Sequence, residues 1–192
     1  MVEIKNLKIY DLKESVIACR NAMRSSLPQY TDEEFEKSLH RAINLCKSPT
    51  NSGHCNFLSG IRVSFDITYP QYISPELQRY HWIDIVTSAS KMHKLGAHIS
   101  ANSFNKYVDS RIISIVQEYA EKWLKNNDYD SFIRLVSNTP LGLELFMRIS
   151  TNYLQLRNLY HQRKNHKLKE DWGAICKMIE SLPYFKEFIG YE

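Results

Sequence analysis

Three groups of residues in this chain have types and spacings that could hold a polar ligand. The first is Arg79-Tyr80-His81 with Asp84, Ser88, Ser90 and Lys91 after it. Intervals of three, four and three set His81, Asp84, Ser88 and Lys91 in one polar line if the segment is helical. Tyr80, Trp82, Ile83, Ile85, Val86 and Ala89 then take the other sides. Buried, such a line must meet partners, because an unpaired buried polar group costs roughly 1–3 kcal/mol. Exposed, Asp84 and Lys91 are ordinary surface charges. The second group is Gln155, Asn158, Gln162 and Asn165 at the same spacing, with Arg157 and His161 beside them four apart. Amides pair with a pyrimidine edge, and arginine forks onto phosphate oxygens. A helix–helix contact through amide bonds accounts for the same residues. The third is His54, in the loop SGHCNFLSG from Ser52 to Gly60, either set against a ligand at a strand edge or an ordinary surface histidine. Arg163, Lys164, His166, Lys167 and Lys169 form a basic cluster, read as a solvated helix end or a phosphate-binding patch.

Other chemistries lack their residues. No GxxxxGK[ST] or GxGxxG loop is present, nor a GxSxG elbow or HExxH pair. The cysteines at 19, 46, 55 and 176 form no CxxC pair, so no metal site is expected. Scattered cysteines in a chain with a competent core suit a reducing, cytoplasmic setting. The charged N-terminus is no signal peptide, and no apolar run reaches membrane-spanning length. The net charge of +4 suits a small anionic ligand but does not argue for nucleic acid.

The elements that must position these groups follow from periodicity. With 192 residues, 43% of them hydrophobic, the chain suffices for one domain with a sizeable core. Residues 2–10 carry spaced apolar positions and predict a first strand. Asp11 can cap a helix to about Met23, and Thr31 with Glu34 forms a capping box opening a helix to about Cys46. Residues 47–54 are a loop. Ile61 to Tyr69 alternates as a half-buried strand. Ser74-Pro75 starts a helix expected to run to about Met92. Further helices are expected near 104–124, 129–136, 143–161 and 169–182. The expectation is an α+β fold: one helix-rich domain over residues 1–192 with a small antiparallel or mixed sheet.

In order, the three groups resemble the flavin-dependent thymidylate synthase family. Gly53-His54-Cys55-Asn56-Phe57-Leu58 is similar to the family's Gly-His segment leading into a strand. Arg79-Tyr80-His81 falls at its RHR-x7-S signature, with Tyr80 and His81 in place of the second and third residues. The signature serine falls on Ala89, between Ser88 and Ser90, and Lys91 keeps a positive charge at an arginine position. Gln155 to His161 resembles the late NxRxLxH helix with Gln155 for Asn. A further arginine usually follows that histidine by five positions; His166 stands there, and Arg163 is the nearest arginine.

The resemblance implies a homotetramer with FAD and dUMP bound between subunits. The implied reaction carries a one-carbon unit from methylenetetrahydrofolate to the uracil ring, with NADPH as reductant. It places His54, Arg79, His81, Ser88, Asn158 and His161 at the cofactor, and Ser90, Arg157 and Arg163 at the nucleotide. Loss of the second signature arginine leaves an alternative: a non-catalytic nucleotide sensor or sequestering protein on the same fold. A helical interaction module is the third reading.

Overall fold

The computed structural model describes residues 1–49 and 52–189. Its central strand is β2, Arg62–Pro70. Alternation drives it: Val63, Phe65, Ile67 and Tyr69 are buried, whereas Arg62, Ser64, Asp66 and Thr68 face the other way and are half-buried. Antiparallel pairing joins it to β1 (Glu3–Tyr10) on one side and to β4 (Glu144–Asn152) on the other. A fourth strand, β3 (Asp84–Ser88), pairs antiparallel with the outer side of β4, so the order is β1-β2-β4-β3. Phe65 opposite Ile149 and Ile67 opposite Met147 fix the β2–β4 register by burying apolar pairs on one face. The expected helix-rich α+β fold is thus present, with a sheet that is antiparallel throughout its described pairs.

Helices cover the buried face. After α1 (Leu12–Ala18), α2 (Asp32–Cys46) begins where Thr31 Oγ1 accepts from Glu34 N–H (3.2 Å), as its cap predicts. α2 buries Phe35, Ala42 and Cys46. The later helices are α5 (Ser110–Asn126), α6 (Tyr129–Asn138), α7 (Tyr153–Arg163), α8 (Lys169–Glu180) and the short α9 (Phe185–Phe188). Leu156, Leu159, Trp172, Ile175, Ile179, Phe185 and Phe188 join the inner sheet residues in one core. Among the described residues, no helix is long and apolar enough to cross a membrane.

Two expected helices are corrected. Residues 74–92 do not form one helix. A single turn, α3 (Ser74–Leu77), gives way to β3, then to α4 (Lys91–His98). In the β-branched run Ile85-Val86-Thr87, Ile85 and Thr87 pair with the free edge of β4 around an irregularity at Val86, and that ladder outweighs the helical start signal at Pro75. His81, Asp84, Ser88 and Lys91 therefore share no helical face. Residues 143–161 also divide, into β4 and α7. Leu145, Met147, Ile149 and Thr151 are buried at a period of two, a strand signal that apolar content alone conceals. Smaller corrections are that α1 ends at Ala18, and that α5 begins at Ser110, where Asp109 accepts from Arg111 N–H (2.9 Å), rather than near 104.

Candidate functional site

The frame of the candidate site is α7. Asn152 Oδ1 caps its start by accepting from Gln155 N–H (2.9 Å), a turn made at the last residue of β4. Tyr153, Gln155, Leu156, Arg157 and Leu159 are all buried, so the helix is enclosed on more than one side. The polar line expected along it is divided: Gln155 is inside, Asn158 is exposed, and Gln162 and Asn165 lie toward the exposed end.

Arg157 points inward and is 2% exposed. Its Nε donates to Ile189 O (2.7 Å), Nη2 to Cys46 O (3.1 Å) and Nη1 to the Cys55 sulfur (2.9 Å). The guanidinium ties α7 to the end of α2, to the segment after His54 and to the chain beyond α9. His161, one turn on, is half-buried with Nε2 at 3.1 Å from Ile189 O. His54 itself is exposed, after Gly53 at φ +75°, a left-handed position that suits glycine.

Arg163 ends the helix in different company. Its Nε donates to the Tyr80 hydroxyl (2.8 Å) and its Nη1 lies 3.1 Å from Glu76 Oε2. The guanidinium stacks over Trp172, 4.5 Å from the ring centroid. The Tyr80 hydroxyl donates in turn to Gln162 Oε1 (3.0 Å), and burial pushes that phenol up despite Arg163 beside it. Glu76 also accepts from Trp172 Nε1 (2.9 Å) and sits 3.7 Å from His166 Nε2. His166 Nδ1 accepts from Leu168 N–H (3.2 Å), which leaves Nε2 to carry the proton toward Glu76. Arg163 therefore positions the residue after Arg79, while Arg79 and His81 are exposed on either side of Tyr80.

Between α7 and α8 lies a cavity of about 450 Å3 lined by Arg163, Lys164, Asn165, His166, Lys169 and Gly173. Cations, an imidazole and an amide around one hollow are groups that can pair with an anion, with Arg163 already paired to Glu76. The basic cluster legible in the sequence is this lining, except that Lys167 lies on a neighbouring groove with Tyr72 and Tyr107.

A third group sits at the far end of β3. Ser88 closes the strand and is exposed. Ser90 precedes α4 with Oγ 2.9 Å from His93 Nδ1, and Lys91 donates to Gln71 Oε1 (3.1 Å). Ser90, Lys91, Lys94 and His98 line a smaller hollow of about 130 Å3 with Leu145 and Phe146. At about 3.3 Å per residue, β3 sets this group about 13 Å along the strand from Asp84. The expected residues thus fall at three places: His54 with Arg157 and His161, Arg79 and His81 with Arg163, and Ser88 with Ser90. Glu76 and Trp172, which hold Arg163, were not foreseeable, because only the fold brings α3 and α8 to the end of α7. Among the described residues, no group of three metal-ligating side chains is present.

No protein-family model matches the sequence, and no curated protein aligns with it. Solved structures do match in shape. A crystal structure of the flavin-dependent thymidylate synthase ThyX from Helicobacter pylori, complexed with FAD and dUMP, superposes with a TM-score of 0.70. It is 16% identical, and the match covers 98% of this chain and 96% of that one. A second structure of ThyX from Helicobacter pylori, also with FAD and dUMP, gives 0.70 at 17% identity, covering 98% and 95%. The chain has, over nearly its whole length, the fold of the flavin-dependent thymidylate synthases.

Proposed function

We propose that this chain binds a pyrimidine nucleotide of the dUMP class, its phosphate seated in the Arg163 pocket, and methylates it as a homotetramer using FAD, methylenetetrahydrofolate and NADPH. The observation that carries the reading is the hollow of about 450 Å3 with Arg163, Lys164, His166 and Lys169 on its wall. A phosphate there meets several cations and an amide donor. The likeness to nucleotide-bound structures supports the choice of ligand.

An FAD site calls for unengaged donor side chains. Those of His54, Arg79, His81, Ser88 and Asn158 face solvent and make no side-chain hydrogen bond to another described residue. Such donors suit the phosphates and ring-edge acceptors of a flavin dinucleotide; His54, Asn158 and His161 would hold it with Arg79 and His81, and Ser88, at the far end of β3, would reach it from a neighbouring subunit. Bound there, the flavin supplies the redox relay for the one-carbon unit. In this proposal a neighbouring subunit brings Ser90 and Lys91 to the nucleotide, because within one chain β3 separates them from Arg163.

A second reading, a nucleotide binder without flavin chemistry, is favoured by Tyr80. That side chain is committed to Arg163 and Gln162, and His81 lacks the bidentate fork of the arginine whose place it takes. Absorbance of the purified protein with FAD and dUMP separates the two. A retained flavin spectrum, bleached by NADPH, is expected. A colourless protein that dUMP stabilises against heat and FAD does not would establish the binder. Indifference to both ligands would sink both readings.

A further inference from the structure

Cys46 and Cys55 meet at Arg157, away from the Arg163 pocket. Cys46 is the last residue of α2 and is 0% exposed; Cys55 follows His54 and is 4% exposed. The Cys55 thiol donates to Leu45 O (3.4 Å), the residue next to Cys46. Arg157 bridges the two cysteines, with Nη1 2.9 Å from the Cys55 sulfur and Nη2 3.1 Å from Cys46 O. Among the described residues this guanidinium has no carboxylate partner, so its acceptors are two carbonyls and one sulfur. The Cys55 sulfur thus has an Arg157 N–H directed at it, and Cys55 is the less enclosed of the two thiols. Burial, and then the neighbouring Cys55, push the Cys46 thiol up and keep it protonated.

We propose that Cys46 and Cys55 are a redox-sensitive dithiol that a hydroperoxide converts to a disulfide, with Arg157 supporting attack by Cys55. The Cys55 sulfur attacks the terminal peroxide oxygen, the O–O bond breaks, and a sulfenic acid forms with release of water or an alcohol. The Cys46 sulfur then displaces the sulfenic oxygen as a second water, taking its own proton along. Two thiols are oxidised and one peroxide is reduced. The new bond joins the end of α2 to the residue after His54 and removes Cys55 as a partner of Arg157. Cys19, whose thiol lies 3.8 Å from Ser38 O, and Cys176 on α8 lack an arginine bridge and stay reduced.

The test is hydrogen peroxide at low molar excess over the full chain, then alkylation in denaturant and peptide mapping without reductant. The expected result is loss of two of the four thiols, a mass lower by two hydrogens, a single Cys46–Cys55 crosslink and full return with dithiothreitol. Cys55→Ser and Cys46→Ser should each abolish the crosslink. Arg157→Lys, which keeps the charge, should form it faster than Arg157→Met; if both fail to fold, the serine variants still decide the pairing. Retention of four thiols, a link through Cys19 or Cys176, or overoxidation of Cys55 without a link would overturn the proposal. Peroxide reactivity is read without nucleotide or flavin, so the result stands apart from the proposed function.

Discussion

Two arginines six positions apart on α7 have opposite fates. Arg157 is enclosed and holds three chain segments through backbone carbonyls and a sulfur, whereas Arg163 sits at a cavity wall with Glu76, Tyr80 and Trp172. Of the two, Arg163 is the one with a cavity beside it, and the proposed function assigns the nucleotide phosphate there. Arg157→Met should lower unfolding free energy by about 2 kcal/mol, since it strands the buried Cys46 carbonyl while Ile189 O keeps His161; urea melts measure this. Arg163→Ala should weaken dUMP binding about tenfold or more, the loss of one charge-assisted contact. Calorimetry reads it, with Arg163→Lys recovering part of the loss. An unchanged dissociation constant in Arg163→Ala would remove this pocket from the proposed function.

At the scale of elements, the junction of β4 and α7 decides where the site forms. The Asn152 side chain ends the ladder and starts the helix in one step, so Asn152→Ala should cost about 1 kcal/mol, more if its neighbours stay desolvated. A second packing constraint lies where α4 crosses α5. A Cβ at Gly96 would collide with the Trp123 ring. Gly96→Ala gains about 1 kcal/mol of helix propensity, but overpacking costs about 1–3 kcal/mol. A net loss of stability is expected, read as a lower thermal midpoint, and it should shift the α4 residues Lys91 and Lys94 that line the smaller hollow.

For the whole molecule, burial and ion pairing set the pH range. Burial pushes the phenols of Tyr69, Tyr72, Tyr80 and Tyr153 up, and the Cys176 thiol to about 11. Unfolded tyrosines ionise near about 10, while the folded ones stay neutral. Stability is therefore full below that pH and declines as pH rises toward the folded values. At the acid end, the Arg24 hydrogen bond holds Glu34 below the usual carboxylate range, and Asn6 and Arg148 do the same for Asp66. Their contribution is present above the unfolded carboxylate values and is lost as pH falls through the lower folded ones. Denaturant midpoints taken from pH 3 to 11 should trace a plateau with both flanks.

Periodicity alone determined the first strand, α2 with its Thr31 cap, the central strand β2, α6 and α8, and the basic cluster between α7 and α8. Those features depend on local spacing, which a chain carries wherever it folds. The path from 74 to 92 and from 143 to 161 was not legible in the same way. There, helix-start signals and apolar runs compete with strand pairing, and only the free edge of β4 settles the competition for Ile85-Val86-Thr87. The fate of each arginine was likewise tertiary. Arg157 lies among leucines and Arg163 among polar residues, but their partners come from elsewhere in the chain: one meets the ends of α2 and α9, the other α3 and α8. What surrounds a cation in space, rather than in sequence, decides whether it braces a core or faces a ligand.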